Sequence, residues 1–232
     1  MAVLSGPRLA PRLPGPPRQL VVLLHGVGAD GNDLIGLAPA LAQWLPHAAF
    51  VAPDAAEPCD MAPFGRQWFS LRDRGPAALL AGVQACAPVL DGFLDAELRN
   101  AGLGAQQLAL VGFSQGTMLA LYLALRRAPA LAAVLGYSGA LLGAEALPEE
   151  VAAKPPVFLV HGDADEVVPV AALHAAVQGL QAAGVPVQWS VRPGLPHAID
   201  PESLAHGGAF LAAAFADAER ARPARRLPSP PP

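Results

Sequence analysis

The sequence predicts an α/β domain, a mostly parallel β-sheet with helices on both faces. Three observations predict it. Short, uninterrupted apolar runs recur along the chain, as parallel strands buried on both faces require. Longer stretches with helical character lie between them, so each strand is followed by a right-handed crossover. The composition also suits one well-filled globule: of 232 residues, 53% are hydrophobic and 15% charged, which excludes a disordered chain.

The apolar runs, in order, are Leu20–Leu24 (LVVLL), Ala49–Ala52 (AFVA), Leu108–Val111 (LALV), Ala133–Tyr137, Val157–Val160 (VFLV) and Val187–Val191 (VQWSV). Helices are expected over about 32–45, 76–101, 115–127, 169–183 and 201–219. Residues 1–18 are rich in Pro and Arg and carry no period. They are expected to be irregular, with at most a short edge strand. One domain should occupy residues 19–220, a length that buries a single core. The segment 221–232, ARPARRLPSPPP, is expected to be a disordered tail, because its prolines block regular structure.

The formal net charge of −4 provides no basic footprint for nucleic acid and no polybasic patch for anionic lipid. Leu20–Leu24, the strongest apolar run near the start, is far too short to cross a bilayer. Prolines interrupt the N-terminal stretch where a signal peptide needs a continuous apolar helix. The expectation is a cytoplasmic protein without stable membrane insertion. Cys59 and Cys86 are then free thiols, the first in a loop and the second on a helix.

The sharpest local signal is Gly112-Phe113-Ser114-Gln115-Gly116. It follows the run LALV and opens a helix, the context that a G-x-S-x-G nucleophile elbow needs. A Cβ at Gly112 or Gly116 would clash with the neighbouring strand or helix. The tight turn pushes the Ser114 hydroxyl out above the sheet. In the α/β-hydrolase fold that uses this elbow, an acid and then a histidine follow the serine along the chain.

After Ser114, the run VFLV leads into His161-Gly162-Asp163-Ala164-Asp165-Glu166. Asp165 lies in the loop beyond the strand and is the favoured acid. Asp163, nearer the strand, is suited to bracing the turn and remains a serious second; Glu166 reads as a solvated charge. The base should follow the last strand, where Pro196-His197-Ala198 lies before the closing helix. His174 and His206 fall inside helices, His47 at a helix end, and His161 so near its strand that it reads as turn packing. Oxyanion stabilisation needs two backbone N–H groups. The residue after the nucleophile, Gln115, supplies one; the loop His25-Gly26-Val27-Gly28 supplies the other through Val27. His25 is expected to shape that loop rather than react. The loop lacks the lysine and spacing of nucleotide-binding motifs. No cofactor is implied, and no histidine or cysteine spacing suggests a metal.

These blocks resemble the phospholipase/carboxylesterase family, which includes acyl-protein thioesterases. The resemblance runs from about Gln19 to Ala218 through LLHGVGADGNDLIGLA, APDA, RQWFSL, VGFSQGTMLAL, GYSGAL, HGDADEVVP and GLPHAI. It implies an α/β-hydrolase fold and favours Asp165 over Asp163. It also implies that the loop from Asp54 to Pro76 flanks the active site. Trp68 and Phe69 would then line an acyl groove, with Leu71 and Met61 as weaker candidates. Thr117 stands where some members have a second glycine, one residue into the helix, with little effect on chemistry expected. The expected activity is that of a serine carboxylesterase on small-molecule acyl esters of short to medium chain, and on thioesters. Acyl-protein thioesterase and lysophospholipase activities are variants of that chemistry. A binding module that had lost catalysis would lack part of the Ser114–Asp165–His197 set. The alanine and leucine content is compatible with a homodimer, though nothing demands one.

Overall fold

A computed structural model describes residues 4–221. In chain order the strands are β1 (Arg8–Leu9), β2 (Gln19–Leu24), β3 (Ala48–Val51), β4 (Glu57–Pro58), β5 (Arg66–Gln67), β6 (Leu108–Phe113), β7 (Ala133–Tyr137), β8 (Val157–Gly162) and β9 (Val187–Arg192). The helices are α1 (Gly31–Leu34), α2 (Ala38–Trp44), α3 (Pro76–Ala101), α4 (Gln115–Arg126), α5 (Leu147–Glu150), α6 (Ala171–Ala182) and α7 (Pro201–Ala221). Seven strands form one sheet in the order β1-β3-β2-β6-β7-β8-β9, parallel except for β1. The short β4 and β5 form a separate antiparallel pair.

Strand alternation divides the core into two layers. Val21, Leu23, Val111 and Leu135 face α2 and α7, where Leu41, Leu211 and Phe215 meet them. Val22, Leu24, Leu110 and Val134 face the other way, onto Val83, Leu90 and Leu94 of α3 and Leu119 and Leu123 of α4. Such continuous apolar strands suit a sheet covered on both sides. The helix α4 is buried along almost its whole length, so its sequence is apolar nearly all round.

Two boundaries differ from expectation. The run at 49–52 forms a strand one residue earlier, at Ala48–Val51, because its register with Gln19–Val22 ends there. The Ala52 N–H donates instead to Pro7 O at 3.1 Å. The helix expected over 32–45 is broken into α1, a 3-10 turn at Ile35–Leu37, and α2. Pro39 has no N–H to offer the carbonyl four residues back, so a continuous ladder stops at that turn.

Residues before β2 are fastened to the domain. Asp54 N–H donates to Ser5 O at 2.9 Å, and Leu4 is buried. The Arg8 guanidinium grips both Glu97 oxygens, at 2.6 and 2.7 Å. The proposed tail at 221–232 lies outside the described residues except for Ala221, which closes α7.

Among the described residues, α3 is the one helix long and apolar enough by composition to qualify as a membrane span, with a mean hydropathy of 1.6 over an 18-residue window. In the fold, Val83, Ala87, Leu90, Leu94 and Leu98 form a stripe at helical spacing that is buried in the core. Leu79, Leu80, Cys86 and Val89, partly buried against the same core, supply much of the remaining hydropathy.

Candidate active site

Between β6 and α4 the chain turns within one residue. Ser114 has φ 54° and ψ −115°, a conformation that strains any residue with a Cβ. Its N–H donates to Tyr137 O at 2.9 Å, and its carbonyl accepts from Thr117 N and Met118 N. A Cβ on Gly112 would lie 2.5 Å from the Thr117 backbone, and one on Gly116 would lie 1.9 Å from Leu24 O. Both glycines are therefore required by the close approach of α4 to the sheet.

Asp165 and His197 come together across the C-terminal edge of the sheet. Asp165 Oδ2 lies 2.7 Å from His197 Nδ1. Its Oδ1 accepts from Val167 N at 2.9 Å and Val168 N at 2.8 Å. Burial opposes ionisation of this carboxyl, but the His197 contact and the two amides outweigh it and hold the group below its ordinary range. A carboxylate on Nδ1 makes that nitrogen the protonated one and leaves Nε2 free to accept a proton. The His197 ring packs against Phe113, the neighbour of Ser114, with centroids 4.8 Å apart.

Asp163 does a different task. Its Oδ1 accepts from Gly194 N at 2.6 Å, and its own N–H donates to Arg192 O, tying the acid loop to the histidine loop. Glu166 is exposed. His161 is buried, and its Nε2 lies 2.7 Å from Val168 O and 3.3 Å from Asp165 Oδ2. It packs the acid loop from beneath. His174 and His206 are on α6 and α7.

The loop after β2 lies directly over the elbow. A Cβ on Gly26 would stand 3.4 Å from Ser114 Cβ. Gly28 has φ +81° and donates to Arg66 O, while Ala29 N donates to Gly26 O. Between these bonds the Val27 N–H has no hydrogen-bond partner among the described residues. The Gln115 N–H opens α4 and has no carbonyl four residues back within the helix. His25 is fully buried. Its Nδ1 meets Gly26 O at 2.7 Å, and its Nε2 accepts from Ala55 N at 3.0 Å. Burial lowers its basicity, although Gly26 O and nearby carboxylates oppose that; a neutral ring is what the Ala55 contact needs.

Trp68 and Phe69 are almost wholly buried. Trp68 N donates to Gln115 Oε1 at 2.9 Å, and Gln115 Nε2 donates to Phe69 O at 2.7 Å. The Trp68 indole donates to His25 O at 2.9 Å. Both residues line an apolar cavity of about 330 Å³ together with Leu4, Gly82, Ala85, Cys86 and Val89; neither Ser114 nor His197 is on its wall. Leu71 is half-buried against the core, and Met61 is 52% exposed.

The Gln115 side chain and the Trp68 indole are features that sequence reasoning missed. The available signal was a lone carboxamide at the head of an otherwise apolar buried helix, a group that must find partners. Thr117 is another: it is the third residue of α4, two residues in rather than one, and it is buried. Its hydroxyl donates to Tyr137 O at 2.9 Å and accepts from Tyr137 N at 3.0 Å.

Comparison with known proteins bears on this geometry. A family model described as Phospholipase/Carboxylesterase matches residues 13–214. The chain is 33% identical over 190 residues to Esterase YpfH of Escherichia coli (strain K12), covering 82% of this chain and 80% of the relative. It is 26% identical over 211 residues to Acyl-protein thioesterase 1 of Gibberella zeae, covering 82% of this chain and 88% of that one. Among solved structures, esterase PE8 superposes with a TM-score of 0.87 at 42% identity, over 91% of this chain and 99% of that chain.

Proposed function

As a member of the phospholipase/carboxylesterase family, this chain is a hydrolase of the α/β-hydrolase fold, and we propose that it cleaves short- to medium-chain acyl esters through Ser114, His197 and Asp165. The observation that carries the assignment is the 2.7 Å contact of His197 Nδ1 with Asp165, on a ring packed beside the strained serine. The Ser114 hydroxyl adds to the substrate carbonyl as His197 Nε2 takes its proton. The amides of Val27 and Gln115 receive the negative charge that develops on the carbonyl oxygen. The tetrahedral adduct collapses, the C–O bond breaks, and His197 returns the proton to the departing alcohol. Water then adds to the acyl-enzyme, its proton passing through His197 to Ser114 as the acid leaves. Asp165 keeps the imidazole in the required tautomer and stabilises its transient charge.

Thioesters enter the same sequence with C–S cleavage, and the similarity to an acyl-protein thioesterase supports that second substrate class. Selection among acyl lengths is intrinsically shallow, about 1–3 kcal/mol per methylene. The test is hydrolysis of p-nitrophenyl esters from acetate to palmitate, with wild type and Ser114→Ala side by side. Serine-dependent turnover that peaks at short or medium chains is expected. Undiminished turnover by Ser114→Ala would overturn the assignment, and a peak at long chains would move the substrate class to lipids.

A further inference from the structure

The two amides assigned to the oxyanion come from elements far apart in sequence. The β2–β6 ladder ends at the pair Leu24↔Gly112. Val27 and Gln115 each lie three residues beyond it (27 minus 24, and 115 minus 112). The sheet therefore does not itself fix the separation of the two N–H groups. Useful oxyanion stabilisation requires both donors within a few tenths of an ångström of their working positions.

We infer that Trp68 is a positioning residue that sets this separation, by donating one N–H to each side of the oxyanion hole. The inference rests on the proposed roles of Val27 and Gln115. On one side, the Trp68 backbone N–H binds the Gln115 carboxamide at 2.9 Å, and that carboxamide is held again by Phe69 O at 2.7 Å. On the other, the indole N–H binds His25 O at 2.9 Å, two residues before Val27. The Trp68 ring also packs on the His25 imidazole, with centroids 5.3 Å apart. That imidazole is in turn locked between Gly26 O and Ala55 N. With Trp68 5% exposed, these bonds are shielded from competing water. A phenylalanine here would preserve the packing and the backbone bond while removing the indole link.

The test separates this role from that of an acyl-groove wall. Trp68→Phe is assayed with p-nitrophenyl esters of increasing chain length, and with a trifluoromethyl ketone, which binds serine hydrolases as a tetrahedral oxyanion adduct. Displacing a donor should cost less than deleting one, so kcat should fall about 10-fold at every chain length with KM unchanged. The inhibition constant for the ketone should rise by the same factor. Gln115→Met keeps the backbone amide but cuts the other half of the brace, and should give the same pattern. The double variant should lose little more than either single one, since both break one chain of contacts. A shifted chain-length optimum with kcat retained would overturn the inference and return Trp68 to the groove. Wild-type kcat in both variants, or additive losses in the double variant, would overturn it as well. Failure of the underlying triad reading would show separately, as Ser114→Ala activity.

Discussion

Two carboxylates two residues apart carry different duties, and their hydrogen bonds separate them. Asp165 faces His197, whereas Asp163 faces the Gly194 amide. Asp165→Asn should lower kcat by about 10⁴-fold, because the wrong tautomer of His197 is then favoured. Asp163→Ala should leave kcat within a few-fold and cost about 1 kcal/mol of stability, the net value of a hydrogen bond. Steady-state kinetics and thermal melts on the pair check this. His25 gives a pH dependence. Its folded form resists protonation, below the ordinary value of 6.5, whereas the unfolded chain protonates normally. Stability is therefore full above about pH 6.5 and declines as pH falls below it, until the folded ring itself titrates. The slope from this one group is at most about 1.4 kcal/mol per pH unit. Urea unfolding between pH 7 and pH 5 should show a smaller decline for His25→Gln; equal slopes would refute the attribution.

At the scale of elements, Thr117 joins α4 to β7 from the inside. Its hydroxyl satisfies both Tyr137 N–H and Tyr137 O, and its methyl occupies space that a Cβ on Gly136 or Gly139 would need, at 2.5 Å in each case. Thr117→Val strands a buried backbone donor and should destabilise the protein by about 1–3 kcal/mol. Thr117→Ser should recover the polar part of that loss. Denaturant titration of both variants distinguishes them. The elements themselves were largely legible, because LVVLL and LALV admit little but buried strands and Gly112 and Gly116 mark a turn that only glycine permits. The break at Pro39 was also written in the sequence, but the surrounding apolar period obscured it. Trp68 was not legible in the same way. Its two bonds span 47 and 43 residues, and nothing local to RQWFSL states which carbonyl an indole will find.

At the scale of the molecule, the sheet and its two apolar layers hold the C-terminal loop edge rigid, and β1 together with the Arg8–Glu97 pair covers the flank of β3. That rigidity sustains the one backbone angle at the elbow that the chain would not choose locally. A serine held at positive φ stores about 1–3 kcal/mol, released whenever the domain unfolds. Glycine adopts the same angles freely, at an entropic cost of roughly 0.5–1 kcal/mol. Ser114→Gly should consequently be inactive and yet melt higher than Ser114→Ala, which keeps the strained angle. In a chain of this size the gap should be about 2–4 °C per kcal/mol. Differential scanning calorimetry of these two variants would then register the angle at residue 114 as heat, and equal melting points would mean that the turn carries no such tension. The same tension sets a direction for drift: once selection for turnover lapses, residue 114 has a downhill path to glycine, and the scaffold gains thermal endurance as it loses its chemistry.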